Sequence, residues 1–240
     1  MWVLFFCALL IGMSKTGMQG INVISIPLMA MVFGAKPSTG VVLPMLCFAD
    51  IIAVVCYRRA AEWKYIFKLL PTAVAGFFVA IFADSFVPQG QFKILIAACI
   101  FIGLAVMLWT ERGGGKDPAF LKSKLYAPVF GLLGGFTTMI GNAAGPVMAV
   151  YTLSVKLPKY AFVGTNAWFF LMVNFMKLPL QAFVWDNISA STLMLNAAAV
   201  PFILVGTLAG YWFVKILPEK SYRIFIISTT VISTAAMLAF

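Results

Sequence analysis

The chain has 240 residues, of which 63% are hydrophobic and only 10% charged, with a mean hydropathy of +1.03, whereas soluble domains carry about 25% charged residues. An ordinary soluble domain is excluded, and the bilayer is the expected solvent. The net charge of +10 arises from 17 Lys and Arg against 7 Asp and Glu, but these cations fall in short loops and form no long basic tract, so no nucleic-acid partner is expected.

Apolar runs read against breakers predict segments near 2–33, 38–57, 65–86, 91–109, 125–155, 159–184, 192–216 and 221–240. Six suit single spans, because about 20 apolar residues cross roughly 30 Å of hydrocarbon. The other two, 2–33 and 125–155, are too long for one upright helix, since about 31 residues would reach roughly 46 Å. Polar and small residues interrupt both: Ser14-Lys15-Thr16-Gly17-Met18-Gln19-Gly20 in the first, and Gly134-Gly135-Phe136-Thr137-Thr138 through Gly141-Asn142-Ala143-Ala144-Gly145-Pro146 in the second. Each is predicted to be a helix, a break and a second helix. The N-terminal run lacks a basic n-region and an A-x-A site, so a removable signal peptide is not expected.

The paired breaks suggest a duplication. Shifted by about 130 positions, Pro71 falls on Pro201, Gly76 on Gly206, Pro88 on Pro218 and Phe92 on Tyr222; shifted by about 122, Lys36-Pro37 falls on Pro158-Lys159. The expected organisation is a first repeat over 1–110, a cytoplasmic linker over 111–124, polar and glycine-rich at its start, and a second repeat over 125–240.

Loop charge chooses between two topologies. If the broken segments cross the membrane, basic loops fall on both faces. If they enter and return as hairpins, Arg58, Arg59, Lys64, Lys68, Arg112, Lys116, Lys122, Lys124, Lys156, Lys159, Lys215, Lys220 and Arg223 share one face, with Lys36, Lys93, Asp84 and Asp186 on the other. Cationic loops prefer the cytoplasm, which favours two re-entrant hairpins, six full spans and both termini outside it. The repeats are then inverted, an arrangement in which the discontinuous helices of secondary transporters meet near the midplane and turn their termini toward the substrate. The fold class expected is an all-α integral membrane protein.

Candidate residues follow from what an apolar segment tolerates. Lys15, flanked by Ser14 and Thr16 and followed by Gln19 and Asn22, is either an anion ligand or a side chain snorkelling to the outer surface. Asp50 stands mid-span and is a candidate for pairing with Lys15 or for carrying a coupling proton or cation; a fixed structural contact is the alternative. Lys177 is the second intramembrane cation, near enough to a span end to snorkel. In the second half, Thr137, Thr138 and Asn142, with Thr165 and Asn166 beyond the next turn, offer hydroxyls and amides suited to an oxyanion, and Gly141, Ala143, Ala144 and Gly145 let a ligand approach the main chain. Trp168 and Phe169 receive no role.

Enzyme chemistry is poorly supported. The chain has no His, which removes His-based triads, HExxH zinc sites and haem His ligands, and no G-x-S-x-G or P-loop pattern is present. Ser14 and Lys15 are neighbours that diverge by about 100° on a helix, a poor catalytic pair. Cys7, Cys47, Cys56 and Cys99 lie in apolar segments without metal-ligand spacing and read as packing residues. No cofactor or metal is expected.

The first break, from Gly12 through Gly20 to Ile26-Pro27-Leu28, resembles the opening motif of the TauE/SafE-like sulfite and organosulfonate exporter family. So does the second, Gly131-Leu132-Leu133-Gly134-Gly135-Phe136-Thr137-Thr138-Met139-Ile140-Gly141-Asn142-Ala143-Ala144-Gly145-Pro146, with Leu157-Pro158-Lys159 and Val163-Gly164-Thr165-Asn166 after it. The likeness extends over nearly the whole chain; the first break departs from it in reading Gly17-Met18-Gln19-Gly20-Ile21-Asn22 where many members carry a denser glycine run. It implies a bacterial-type inner-membrane permease that exports sulfite, sulfoacetate or a related sulfur anion, and the inverted repeats lead us to expect alternating access. The competing expectations are a channel or a cation- or proton-coupled permease led by Asp50, an intramembrane enzyme using Ser14 and Lys15, and a purely structural subunit. A chain this small also has room for a homodimeric partner, although no motif marks its interface.

Overall fold

The computed structural model describes residues 1–84, 86, 101 and 123–239. Apart from residue 101, the span expected over 91–109 lies outside the described residues, as do 111–122 of the expected linker and Pro88, Phe92, Lys93 and Cys99. Among the described residues all regular structure is helical, joined by turns and short loops. The first segment is α1 (Trp2–Lys15), a break, a 3-10 turn (Ile21–Ile24) and α2 (Ser25–Phe33). Then come α3 (Ala35–Tyr57) and α4 (Trp63–Asp84). The second half begins with α5 (Tyr126–Gly141), a two-residue break and α6 (Ala144–Ser154), followed by α7 (Lys159–Pro179), α8 (Ala190–Ile216) and α9 (Glu219–Ala239). Among the described residues, Lys36–Tyr57, Trp63–Asp84, Lys159–Val184 and Ala190–Ile216 are long and apolar enough to cross a membrane.

Both breaks have local causes. Gly17 and Gly20 adopt φ values of 145° and 96°, which L side chains rarely adopt, so the helix cannot run through them. Asn142 ends α5 in the left-handed region at φ 55°, a conformation that Asn tolerates better than most residues.

After each break the chain folds back on itself. The Tyr126 hydroxyl, at the start of α5, lies 2.6 Å from the Ser154 hydroxyl at the end of α6, so the two arms run antiparallel and begin and end together. In the first half the Cys7 thiol, midway along α1, reaches the carbonyl of Ser25 at the start of α2. Met29 packs in the same apolar cluster as Leu4, Cys7 and Ala8.

The two halves interlock by exchange. Helix α1 packs along α8, and α5 along α4. Glycines permit both approaches: a Cβ on Gly12 would lie 2.3 Å from the Ile203 carbonyl oxygen, one on Gly206 2.1 Å from that of Leu9, and one on Gly135 1.9 Å from that of Ala73. Such close backbone contact is how helices associate in lipid, where apolar burial between helices gives little drive. Helices α3 and α7 cross antiparallel, with Val54 beside Ala167 and Asp50 beside Asn174, while Thr39 meets Gln181.

Candidate functional site

The two breaks meet α3 and α7 around a cavity of about 30 Å³. From the first segment it is lined by Ser14, Lys15, Gln19, Gly20 and Asn22, and from the second by Thr138, Asn142, Ala143, Gly145 and Pro146. Leu46 of α3 and Ala167, Phe170 and Asn174 of α7 complete the wall. Of the residues singled out in the sequence, the fold thus gathers Ser14, Lys15, Gln19, Asn22, Thr138 and Asn142. Four others lie outside this lining. Thr16 donates to the Thr207 carbonyl and holds α1 to α8; Thr137 bonds the Gly134 carbonyl within α5; Thr165 accepts from the backbone N–H of Glu62; Asn166 donates to Thr152 and to the Phe162 carbonyl.

Lys15 occupies the last turn of α1 and points inward. Its ammonium lies 2.8 Å from Asp50 Oδ1 and 4.1 Å from the centre of the Phe170 ring. Asp50 is fully buried, and its second oxygen accepts from Asn174 Nδ2 at 2.6 Å. A charge in this setting costs several kcal/mol unless it is paired and hydrogen-bonded, which the Lys15–Asp50–Asn174 chain supplies.

Lys177 does not snorkel. It is fully buried and donates to the Thr138 carbonyl at 2.9 Å, to the Thr138 hydroxyl at 3.1 Å and to Asn142 Oδ1. The acceptors are groups at the C-terminal end of α5, where the Thr138 carbonyl also takes the backbone N–H of Asn142 and the helix dipole favours a cation. Lysines therefore sit at the ends of both first arms: Lys15 on α1 itself, and Lys177 from α7 onto α5.

The second arms present the opposite pole. Ala143, Gly145 and Pro146 place the N-terminus of α6 on the cavity, and Gly20 and Asn22 do the same for the 3-10 turn leading into α2. A helix N-terminus directs backbone N–H groups and partial positive charge at whatever lies in front of it. A Cβ on Gly145 would meet nothing within 4 Å, so the main chain there is open to a ligand. The amide oxygens of Gln19, Asn22 and Asn174 are buried without partners. Each unmatched amide oxygen costs about 1–3 kcal/mol until a donor, from water or from a ligand, satisfies it.

A family model described as Sulfite exporter TauE/SafE matches residues 4–237, nearly the whole chain. The chain belongs to this family. Its members are transporters of sulfite and related sulfur anions, and with the long apolar helices this makes the protein a multi-pass membrane protein. No curated protein and no solved structure matches the chain.

Sequence reasoning missed several lining residues in this member of the family. Asn174 and Phe170 belong to the face of α7 that turns to the breaks, and only the α3–α7 crossing identifies that face. Gln181, outside the lining, is a buried polar residue that the sequence did not single out either. It lies beyond Pro179 in a π-helical turn (Leu180–Val184), and its amide bonds Thr39 and Asn187. A π turn is often found at functional positions, but no residue pattern announces it.

Proposed function

We propose that the protein exports a small sulfur oxyanion of the sulfite type across a bacterial-type inner membrane, by alternating access around the cavity between its two breaks. The observation that carries this reading is the position of Lys15, a largely buried cation facing a cavity onto which the N-terminus of α6 and the start of the 3-10 turn before α2 also open. An anion there would meet the ammonium of Lys15, the backbone N–H groups at the start of α6 beside Gly145, and the amide N–H groups of Gln19 and Asn22. The cavity of about 30 Å³ has room for two or three water-sized groups, which suits a compact oxyanion better than an extended organosulfonate.

We read the two segments as re-entrant hairpins of inverted repeats. Supporting this, the arms of each segment fold back, and the related helices α3 and α7 run antiparallel, as a two-fold axis lying in the membrane plane requires. The exchanged packing of α1 on α8 and α5 on α4 is what such an axis would generate. Rocking one repeat against the other would open the cavity first to one face and then to the other. An inside-negative potential favours anion exit by about 2.3 kcal/mol per charge per 100 mV, so export runs downhill without a coupling ion.

A proton-coupled form of the same cycle is the second reading, favoured by the Lys15–Asp50 contact: an anion that takes Lys15 displaces its partner carboxylate, which a proton would neutralise. Binding measurements on the purified protein test the main reading. Sulfite should bind more tightly than acetate or phosphate, and Lys15→Gln should weaken it by at least about tenfold, the loss of one charge-assisted hydrogen bond. Indifference to the Lys15 substitution would contradict it.

A further inference from the structure

A second cavity, of about 350 Å³, lies where α3 ends, α7 begins and α8 ends. Arg58, Arg59 and Lys215 line it together with Tyr57, Tyr160 and Tyr211. Both arginines and Lys215 are exposed, and among the described residues none of the three is ion-paired; Lys215 instead lies 5.2 Å above the Trp212 ring. Beside the cations the surface becomes apolar at once. Val55 is 67% exposed, Trp212 55% and Ile216 72%, on helices long and apolar enough to cross a membrane.

We propose that this cavity is a binding site for the phosphate headgroup of an anionic glycerophospholipid, with its acyl chains laid along Val55, Trp212 and Ile216. Guanidinium groups pair with phosphate oxygens in a bidentate fork, and basic pockets between helices at the cationic end of a membrane protein collect such headgroups. The apolar lip separates a lipid from a soluble phosphate or sulfite, which would gain nothing from it. The site is also wired to the first break: Tyr57 lines it with its ring and donates from its hydroxyl to the Thr16 carbonyl at 3.0 Å. A bound headgroup would steady the Tyr57 ring and, through it, the backbone that carries Lys15. This inference does not depend on which anion is exported.

Native mass spectrometry of the full chain, released from micelles holding equal phosphatidylglycerol and phosphatidylcholine, tests it. Wild type should retain phosphatidylglycerol over phosphatidylcholine by at least about tenfold. The triple variant R58Q/R59Q/K215Q should lose that preference, while R58K/R59K/K215R keeps most of it; unchanged elution and melting in neutral detergent show that both are folded. Millimolar phosphate or sulfite should leave the retained lipid in place. A preference that survives in the glutamine variant would overturn the proposal. So would displacement of the lipid by either free anion, which would make the cavity a vestibule for soluble oxyanions.

Discussion

The ammonium of Lys15 and the carboxylate of Asp50 meet 2.8 Å apart where the tip of α1 crosses α3, so any anion that uses Lys15 must compete with Asp50. This sets the behaviour of Asp50→Asn. Removing one member of a buried pair costs about 3–5 kcal/mol because the other is left unpaired, so the empty variant should melt well below wild type. Sulfite would then supply the missing negative charge. Thermal melting should show a larger sulfite-induced rise in the variant than in wild type, and a smaller rise would argue that Lys15 does not face the anion.

Lys177 is expected to position rather than bind. Lys177→Met leaves Asn142 Oδ1 without its donor, at a cost of about 1–3 kcal/mol for an acceptor stranded in the interior, while the Thr138 carbonyl keeps the backbone N–H of Asn142. Stability and transport should fall together, and the variant should lose turnover without a matching loss of affinity. Flux measured over a range of sulfite concentrations separates the two. A large rise in KM at unchanged maximal rate would make Lys177 a ligand instead.

The glycines divide by what surrounds them. An added methyl at Gly135 or Gly206 would run into the backbone of the facing helix, and Gly135→Ala and Gly206→Ala should each destabilise by roughly 1–3 kcal/mol, as overpacking does. Gly145→Ala meets open space, so it should melt like wild type yet transport more slowly, because its methyl occupies the cavity. Comparing melting temperature with flux across the three variants checks this.

The topology is testable by labelling. In a background without native cysteines, Lys124→Cys and Lys156→Cys stand at the two ends of the second broken segment. Because Tyr126 and Ser154 are bonded to each other, both should react with an impermeant thiol reagent from the same face of oriented vesicles. Labelling from opposite faces would mean that the segment crosses.

Much of this was legible in the sequence, for a physical reason. A polar residue inside an apolar run is costly, so Lys15, Asp50 and Asn142 stand out against their surroundings, and glycines grouped with polar residues announce a broken helix. The depth of Lys177 was not legible. Its distance from Pro179 suggests a span end, but the π-helical turn carries the helix on to Val184 and the end of α5 folds over the lysine. Thr16, Thr137, Thr165 and Asn166 carry the same chemistry as the cavity residues. They differ in facing neighbouring helices, and only the packing of α1 on α8 and of α7 on the α3–α4 turn reveals that.

The central claim is that the cavity between the two breaks carries a small sulfur oxyanion past Lys15. Efflux of radiolabelled sulfite from proteoliposomes under an inside-negative potential tests it most directly, with wild type, Lys15→Gln and Asn142→Ala reconstituted at equal density. Wild type should accelerate efflux over empty liposomes and respond to the potential, and Lys15→Gln should lower the rate by at least about tenfold, with Asn142→Ala intermediate. Efflux at the wild-type rate through both variants would contradict the account.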